Sequence, residues 1–152
     1  MESIKIFTNS AEETEAVGEA IGRVLKGGET IELVSDLGGG KTTLTRGIVR
    51  TTGSNANVSS PTFTVSKVYS CPNFTIHHYD LYRLNESGLT SSELHELIDE
   101  KEAVVIVEWS GLVSSILPED RLIVEFVAAS EFERQITITA PVSIVDKIKE
   151  KL

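Results

Sequence analysis

The sequence has one cysteine, Cys71, one tryptophan, Trp109, and one methionine in 152 residues. A lone cysteine makes neither an internal disulfide nor a cysteine metal cage, so a reducing, cytoplasmic compartment is expected. No apolar run approaches the roughly 18 residues that a membrane helix needs, and no membrane role is expected. The opening MESIKIFTNSAEETE is too acidic and too polar for a secretory or transit signal. Histidine is scarce as well: His77 and His78 are adjacent, so in a strand they face opposite sides, and His95 lies on another segment. That spacing argues against zinc. Basic charge is also low, with 14 Lys and Arg against 23 Asp and Glu and a formal net charge of −9. The imbalance is uneven, since residues 1–76 carry 7 basic and 8 acidic side chains and residues 77–152 carry 7 and 15. A body this acidic is poorly suited to neutralising a phosphate backbone alone, so any contact with nucleic acid is expected to be indirect, through a partner.

Repeats, low-complexity tracts and linkers are absent too, so residues 1–152 are expected to form a single domain. With 40% hydrophobic residues the composition excludes disordered, collagen-like and coiled-coil chains. Strand and helix patterns alternate along the chain, which predicts an α/β fold, a mixed parallel and antiparallel sheet flanked by helices. Residues 4–7 read as a first strand. Apolar residues at helical spacing from Glu12 to Lys26 predict a helix, started by Ser10 with Glu13 as a capping box and stopped by Gly27 and Gly28. Thr30 to Val34 reads as a strand, and a helix should run to about Thr51. Val65–Tyr69 and Thr75–Tyr79 read as strands of a hairpin, Ser91–Asp99 as a short helix, and Ala103–Val107 as a strand buried on both faces. Leu122–Ala128 and Gln135–Thr139 should be late antiparallel strands, followed by a helical tail from Val142.

Between the second strand and its helix stands SDLGGGKTT, residues 35–43. The phosphate-loop pattern is GxxxxGK(S/T): loop amides and a helix N-terminus take phosphate oxygens, the lysine reaches the β and γ phosphates, and the hydroxyl holds magnesium. Gly40, Lys41 and Thr42 fill its last three positions, while Ser35 stands where the pattern has its first glycine. A bare GK(S/T) is a weak signal, and the preceding strand and following helix strengthen it. Ser35 matters through its backbone: ordinary extended geometry there loses little, whereas a required positive φ would weaken nucleotide binding.

A phosphate cradle needs a carboxylate for magnesium and a means of orienting water. Asp80 and Glu108 each follow a strand, where ligands of open α/β sheets sit. Trp109 is open to three readings: packing, nucleotide contact or partner docking. Only Arg46, Arg50 and Arg83 lie near these motifs in sequence, so transition-state charge is expected to need an arginine in trans.

With these segments in hand, the chain resembles the TsaE (YjeE) family, the P-loop ATPase component of bacterial tRNA threonylcarbamoyladenosine (t6A) synthesis. The resemblance spans nearly the whole chain: SDLGGGKTT against the family's GDLGAGKTT, SPTF at Ser60–Phe63, HxDxYRL at His78, Asp80, Tyr82, Arg83 and Leu84, and VEW at Val107, Glu108 and Trp109. It implies an ATPase that works with the TsaB and TsaD proteins to support repeated modification of adenosine 37, with ATP/ADP and Mg2+ as cofactors. Carried over by position, Asp36, Leu37, Gly38, Gly39, Gly40, Lys41, Thr42 and Thr43 would hold the phosphates. Thr42 and Glu108 would serve magnesium, and Asp80 would help position the metal or the attacking water. Thr62 and Thr64 would lie in a switch-like loop. The adenine would lie near Ser10 and Ala11, with Arg134 a late-strand contact. Two other readings stay open on the residues alone, a nucleotide-sensing scaffold with little hydrolysis and a small-molecule P-loop kinase.

Overall fold

The computed structural model describes residues 1–35, 40–55, 58, 66–81 and 91–152. Its seven strands are β1 (Glu2–Thr8), β2 (Thr30–Val34), β3 (Ser66–Ser70), β4 (Thr75–Asp80), β5 (Ala103–Glu108), β6 (Leu122–Ala128) and β7 (Arg134–Ala140). The helices among the described residues are α1 (Ala11–Gly22), α2 (Lys41–Thr51), α3 (Ser91–Ile98) and α4 (Val142–Lys151). One sheet contains all seven strands in the order β1-β7-β6-β2-β5-β4-β3. Its centre is parallel, with β2 between β5 and β6 and β4 beside β5, and its flanks are antiparallel. The expected mixed sheet is therefore present.

The AVVIV run explains the centre. All six residues of β5 are buried. Alternation sends Val104 and Ile106 into the larger core with α1, α2 and α4, and Val105 and Val107 into a smaller core with Leu94 and Leu117. Such double-sided burial is what near-continuous apolar strands in parallel sheets reflect.

Helix α1 starts as expected and stops early. Glu13 N–H donates to Ser10 Oγ at 3.1 Å, while the Glu13 carboxylate accepts from Asn9 N–H at 2.7 Å, one residue before the position the capping box predicts. The helix ends at Gly22 instead of Lys26. Val24 and Leu25 continue the apolar period in a tighter turn, bonding back to Ile21 and Gly22 carbonyls. Periodicity alone does not separate these two geometries.

Helices α1 and α2 pack at unusually close range. A Cβ on Gly47 would lie 2.1 Å from the Glu15 carbonyl oxygen, and one on Gly18 would lie 2.1 Å from that of Leu44. Arg50 ties the same pair together through Glu15 at 2.7 Å and through Glu19. The helix carrying Lys41 is thus seated on α1 by backbone contact.

Candidate functional site

The site is built where β2, β5 and β4 end. Gly40 precedes α2 with φ 106°, a left-handed conformation that glycine adopts without strain. A Cβ there would meet nothing closer than 3.7 Å, so the backbone angle and not the space requires glycine. Lys41 is the first residue of α2, and its first-turn amides lack intrahelical partners, which makes that end an anion site.

The Lys41 side chain is buried, with Nζ donating to the Ser35 carbonyl at 3.2 Å and standing 3.7 Å from Glu108 Oε1. Among the described residues Trp109 is the one non-glycine at positive φ, so Ser35 keeps an ordinary φ and imposes no left-handed strain. The Trp109 ring covers Lys41 Nζ at 4.6 Å from its centroid, a cation–π contact. Its left-handed backbone, φ 57°, is held from the next residue: Ser110 Oγ donates to Glu32 Oε2 at 2.8 Å, and Arg121 Nε stands 3.5 Å from the same oxygen. Trp109 also lines a groove of about 390 Å³ with Val34, Glu125 and Val127. The ring is therefore a neighbour of the lysine rather than a core packing residue.

Asp80 and Glu108 are paired across the parallel strands β4 and β5, so both carboxylates lie on one face, and both are buried. Glu108 Oε2 also meets His78 Nε2 at 2.5 Å. His78 is fully buried, while its neighbour His77 faces the other side. There desolvation pulls the His77 pKa below the usual imidazole value and Glu100 opposes the shift. Among the described residues no group of three or more His, Cys, Asp or Glu gathers as a metal cage. Two carboxylates and the Thr42 hydroxyl nevertheless suit magnesium, which takes one or two carboxylates and completes its shell with phosphate oxygens and water.

Beside Gly40 and Thr43 lies a cavity of about 200 Å³. Ser10, Ala11 and Thr14 from the start of α1 form one wall, and Glu131 and Phe132 from the β6–β7 turn with Arg134 at the start of β7 form another. Ser10, Ala11 and Arg134, far apart in sequence, thus meet. Arg134 is occupied as a scaffold, since its Nη1 donates to the carbonyls of Ser130, Glu131 and Glu133 at 3.0–3.2 Å. Sequence reasoning missed Phe132, although an exposed phenylalanine in the polar turn SEFER was the available signal. It also missed the link from His78 to Glu108. Arg50, close to the motif in sequence, is turned to α1 and away from Lys41. Asp36, Leu37, Gly38, Gly39, Thr62 and Thr64, with Tyr82, Arg83 and Leu84, lie outside the described residues.

A strand, a left-handed Gly40 and a helix opening on a buried lysine, set beside strand-end carboxylates in a mixed sheet, define an α/β domain of P-loop-like build. The model of the family described as "Threonylcarbamoyl adenosine biosynthesis protein TsaE" matches residues 8–136. The chain belongs to the TsaE family, whose role is in t6A biosynthesis on tRNA. The TsaE protein of Bacillus subtilis is 35% identical over 155 residues, covering 100% of this chain and 95% of that protein. The TsaE protein of Rickettsia felis is 33% identical over 148 residues, covering 93% and 84%. The crystal structure of Bacillus subtilis YdiB superposes with a TM-score of 0.75 at 31% identity, covering 99% of this chain and 93% of that one. No helix among the described residues is long and apolar enough to cross a membrane.

Proposed function

We propose that this chain is a slow, partner-stimulated ATP hydrolase that acts with TsaB and TsaD in the cytoplasm and supports repeated t6A modification of tRNA without being the main tRNA surface. The observation that carries this reading is the buried Lys41 at the start of α2, 3.7 Å from Glu108, with Asp80 in register beside it. The β and γ phosphates would lie on the α2 amides, and Lys41 would exchange the Ser35 carbonyl for a phosphate oxygen. Thr42 and Glu108 would hold magnesium, with Asp80 positioning a metal-bound or attacking water. Magnesium, when bound, would neutralise charge building on the phosphoryl oxygens.

Adenine fits the cavity walled by Ala11 and Phe132. Phe132 is 69% exposed, as a stacking platform for a visiting base should be. Phe132→Ala is expected to weaken ATP binding by about 1 kcal/mol and to leave thermal stability unchanged, as read by calorimetry and melting. An unchanged Kd would place the base elsewhere.

Stimulation by a partner is supported by where the described arginines are. Arg23 and Arg50 bind α1 carboxylates, Arg121 binds Glu32 and the Pro118 carbonyl, Arg134 holds its own turn, and Arg46 is exposed on α2, five residues past Lys41. An arginine supplied in trans raises such reactions by about 10³–10⁵-fold. ATP turnover measured with and without TsaB–TsaD should therefore rise by orders of magnitude in the complex. Tight ATP binding with no turnover in either sample would favour the nucleotide-sensing scaffold instead.

A further inference from the structure

We propose that His78 is a positioning residue for the metal carboxylate: its imidazole fixes one oxygen of Glu108 so that the other is presented to magnesium and Lys41. The inference rests on the nucleotide reading above and adds a residue to it.

The side chain is fully buried, with 0% exposure, on the face of β4 that also carries Asp80. Its Nε2 meets Glu108 Oε2 at 2.5 Å, while Glu108 Oε1 faces Lys41 Nζ at 3.7 Å. The two carboxylate oxygens are thereby divided between two partners. Because Nε2 faces a carboxylate, it carries the hydrogen and donates it. Nδ1 is buried with no hydrogen-bond partner among the described residues, so among these Glu108 alone orients the ring by a hydrogen bond. A bland packing role would be served better by leucine or valine, since a buried polar atom without a partner is costly. Retaining a histidine here makes sense if its donor is what the site needs.

The geometry also explains why one rotamer of Glu108 is kept. Residue 108 ends β5 in register with Asp80, and its carboxylate could turn toward either Asp80 or the lysine. A hydrogen bond from His78, two residues before Asp80 on β4, pins Oε2 toward the sheet and leaves Oε1 toward α2. Partners of this kind that orient a metal ligand typically change metal affinity or activity by about 10–100-fold when removed.

The test compares His78→Gln, whose amide nitrogen reaches the Nε2 position, with His78→Asn, whose amide reaches only the Nδ1 position, and with His78→Leu. Trp109, the single tryptophan, lies beside Lys41 and reports binding of a non-hydrolysable ATP analogue as magnesium is titrated. His78→Asn and His78→Leu should raise the half-saturating magnesium concentration by about tenfold or more, and His78→Gln should restore most of it. Magnesium-free affinity for the analogue, which Glu108 does not set, should move far less. In nucleotide-free protein the Nε2–H proton of His78 should give an imidazole NMR signal that shifts in Glu108→Gln. If His78→Leu does not fold, the two amide variants alone decide. Equal magnesium dependence in Gln and Asn variants, with the wild type binding normally, overturns this inference and leaves the nucleotide reading standing. No magnesium-dependent binding in the wild type overturns both.

Discussion

Lys41→Ala is expected to lower partner-stimulated ATP turnover by about 10²–10³-fold or more, the scale seen when one charge-stabilising donor is removed from a preorganised site. The lysine is the one described cation at the start of α2 that faces the strand-end carboxylates. It is also already aligned, held between the Ser35 carbonyl, Glu108 and the Trp109 ring. Its loss removes the group that would follow charge onto the γ phosphate, and it leaves Glu108 buried against His78. Part of the effect is therefore structural, and Lys41→Met, which keeps the stem against Trp109, separates the two. Both variants should lose turnover, whereas only Lys41→Ala should also loosen Trp109, seen as a red-shifted emission. Retained turnover in either variant would remove Lys41 from the chemistry.

The second large effect is on stability. Gly47→Val places a Cβ 2.1 Å from the Glu15 carbonyl oxygen, a backbone atom that has no rotamer by which to yield. Helices α1 and α2 must then separate, which breaks the burial of Ile21, Leu44 and Ile48, all at 0% exposure. A cost of about 3 kcal/mol, the upper part of the usual overpacking range, is expected in urea unfolding. The same displacement would move Gly40 and Lys41, so nucleotide affinity should fall along with stability. Gly111→Ala is the control, because a Cβ there meets nothing within 4 Å and its backbone is not at positive φ. Similar midpoints for Gly47→Val and wild type would contradict the close helix contact.

Much of the fold was legible because its signals are local. Five apolar residues in a row at 103–107 marked the central strand, and Thr30–Val34 was recognisable from its β-rich composition and the glycines that follow. The end of α1 was not legible, because Val24 and Leu25 stay apolar at helical spacing while the chain has already tightened into i to i−3 bonds. Within the site, Lys41, Asp80 and Glu108 were readable from motif and strand-end position. Ser10, Ala11 and Arg134 came only through family resemblance, and the structure brings them to one cavity. Phe132 and His78 were missed for different reasons. A turn phenylalanine carries no periodic signal, and the His78–Glu108 bond spans thirty residues and depends on the β4–β5 register, which no local pattern encodes. Arg50, near the motif in sequence, lies about two and a half turns along α2 from Lys41 and binds α1, in keeping with the expectation that an arginine must come in trans.

The site's acidic setting gains a narrower meaning from this geometry. The two buried carboxylates, Asp80 and Glu108, belong to the acidic second half of the chain, yet Glu108 stands 3.7 Å from the lysine of the near-neutral first half, with Asp80 in register beside it. Charge that argues against a tRNA surface is thus, at this one place, suited to a metal bound with phosphate.

The decisive measurement is a structure of the chain with magnesium and a non-hydrolysable ATP analogue. The β and γ phosphates should lie on the first turn of α2, with Lys41 Nζ moved from the Ser35 carbonyl to a phosphate oxygen and magnesium bound at about 2.0–2.1 Å to Thr42 Oγ1 or Glu108 Oε1. The base should lie between Ala11 and Phe132. A nucleotide seated elsewhere, or one bound with Lys41 still on Ser35 and no metal near Thr42 or Glu108, would contradict it.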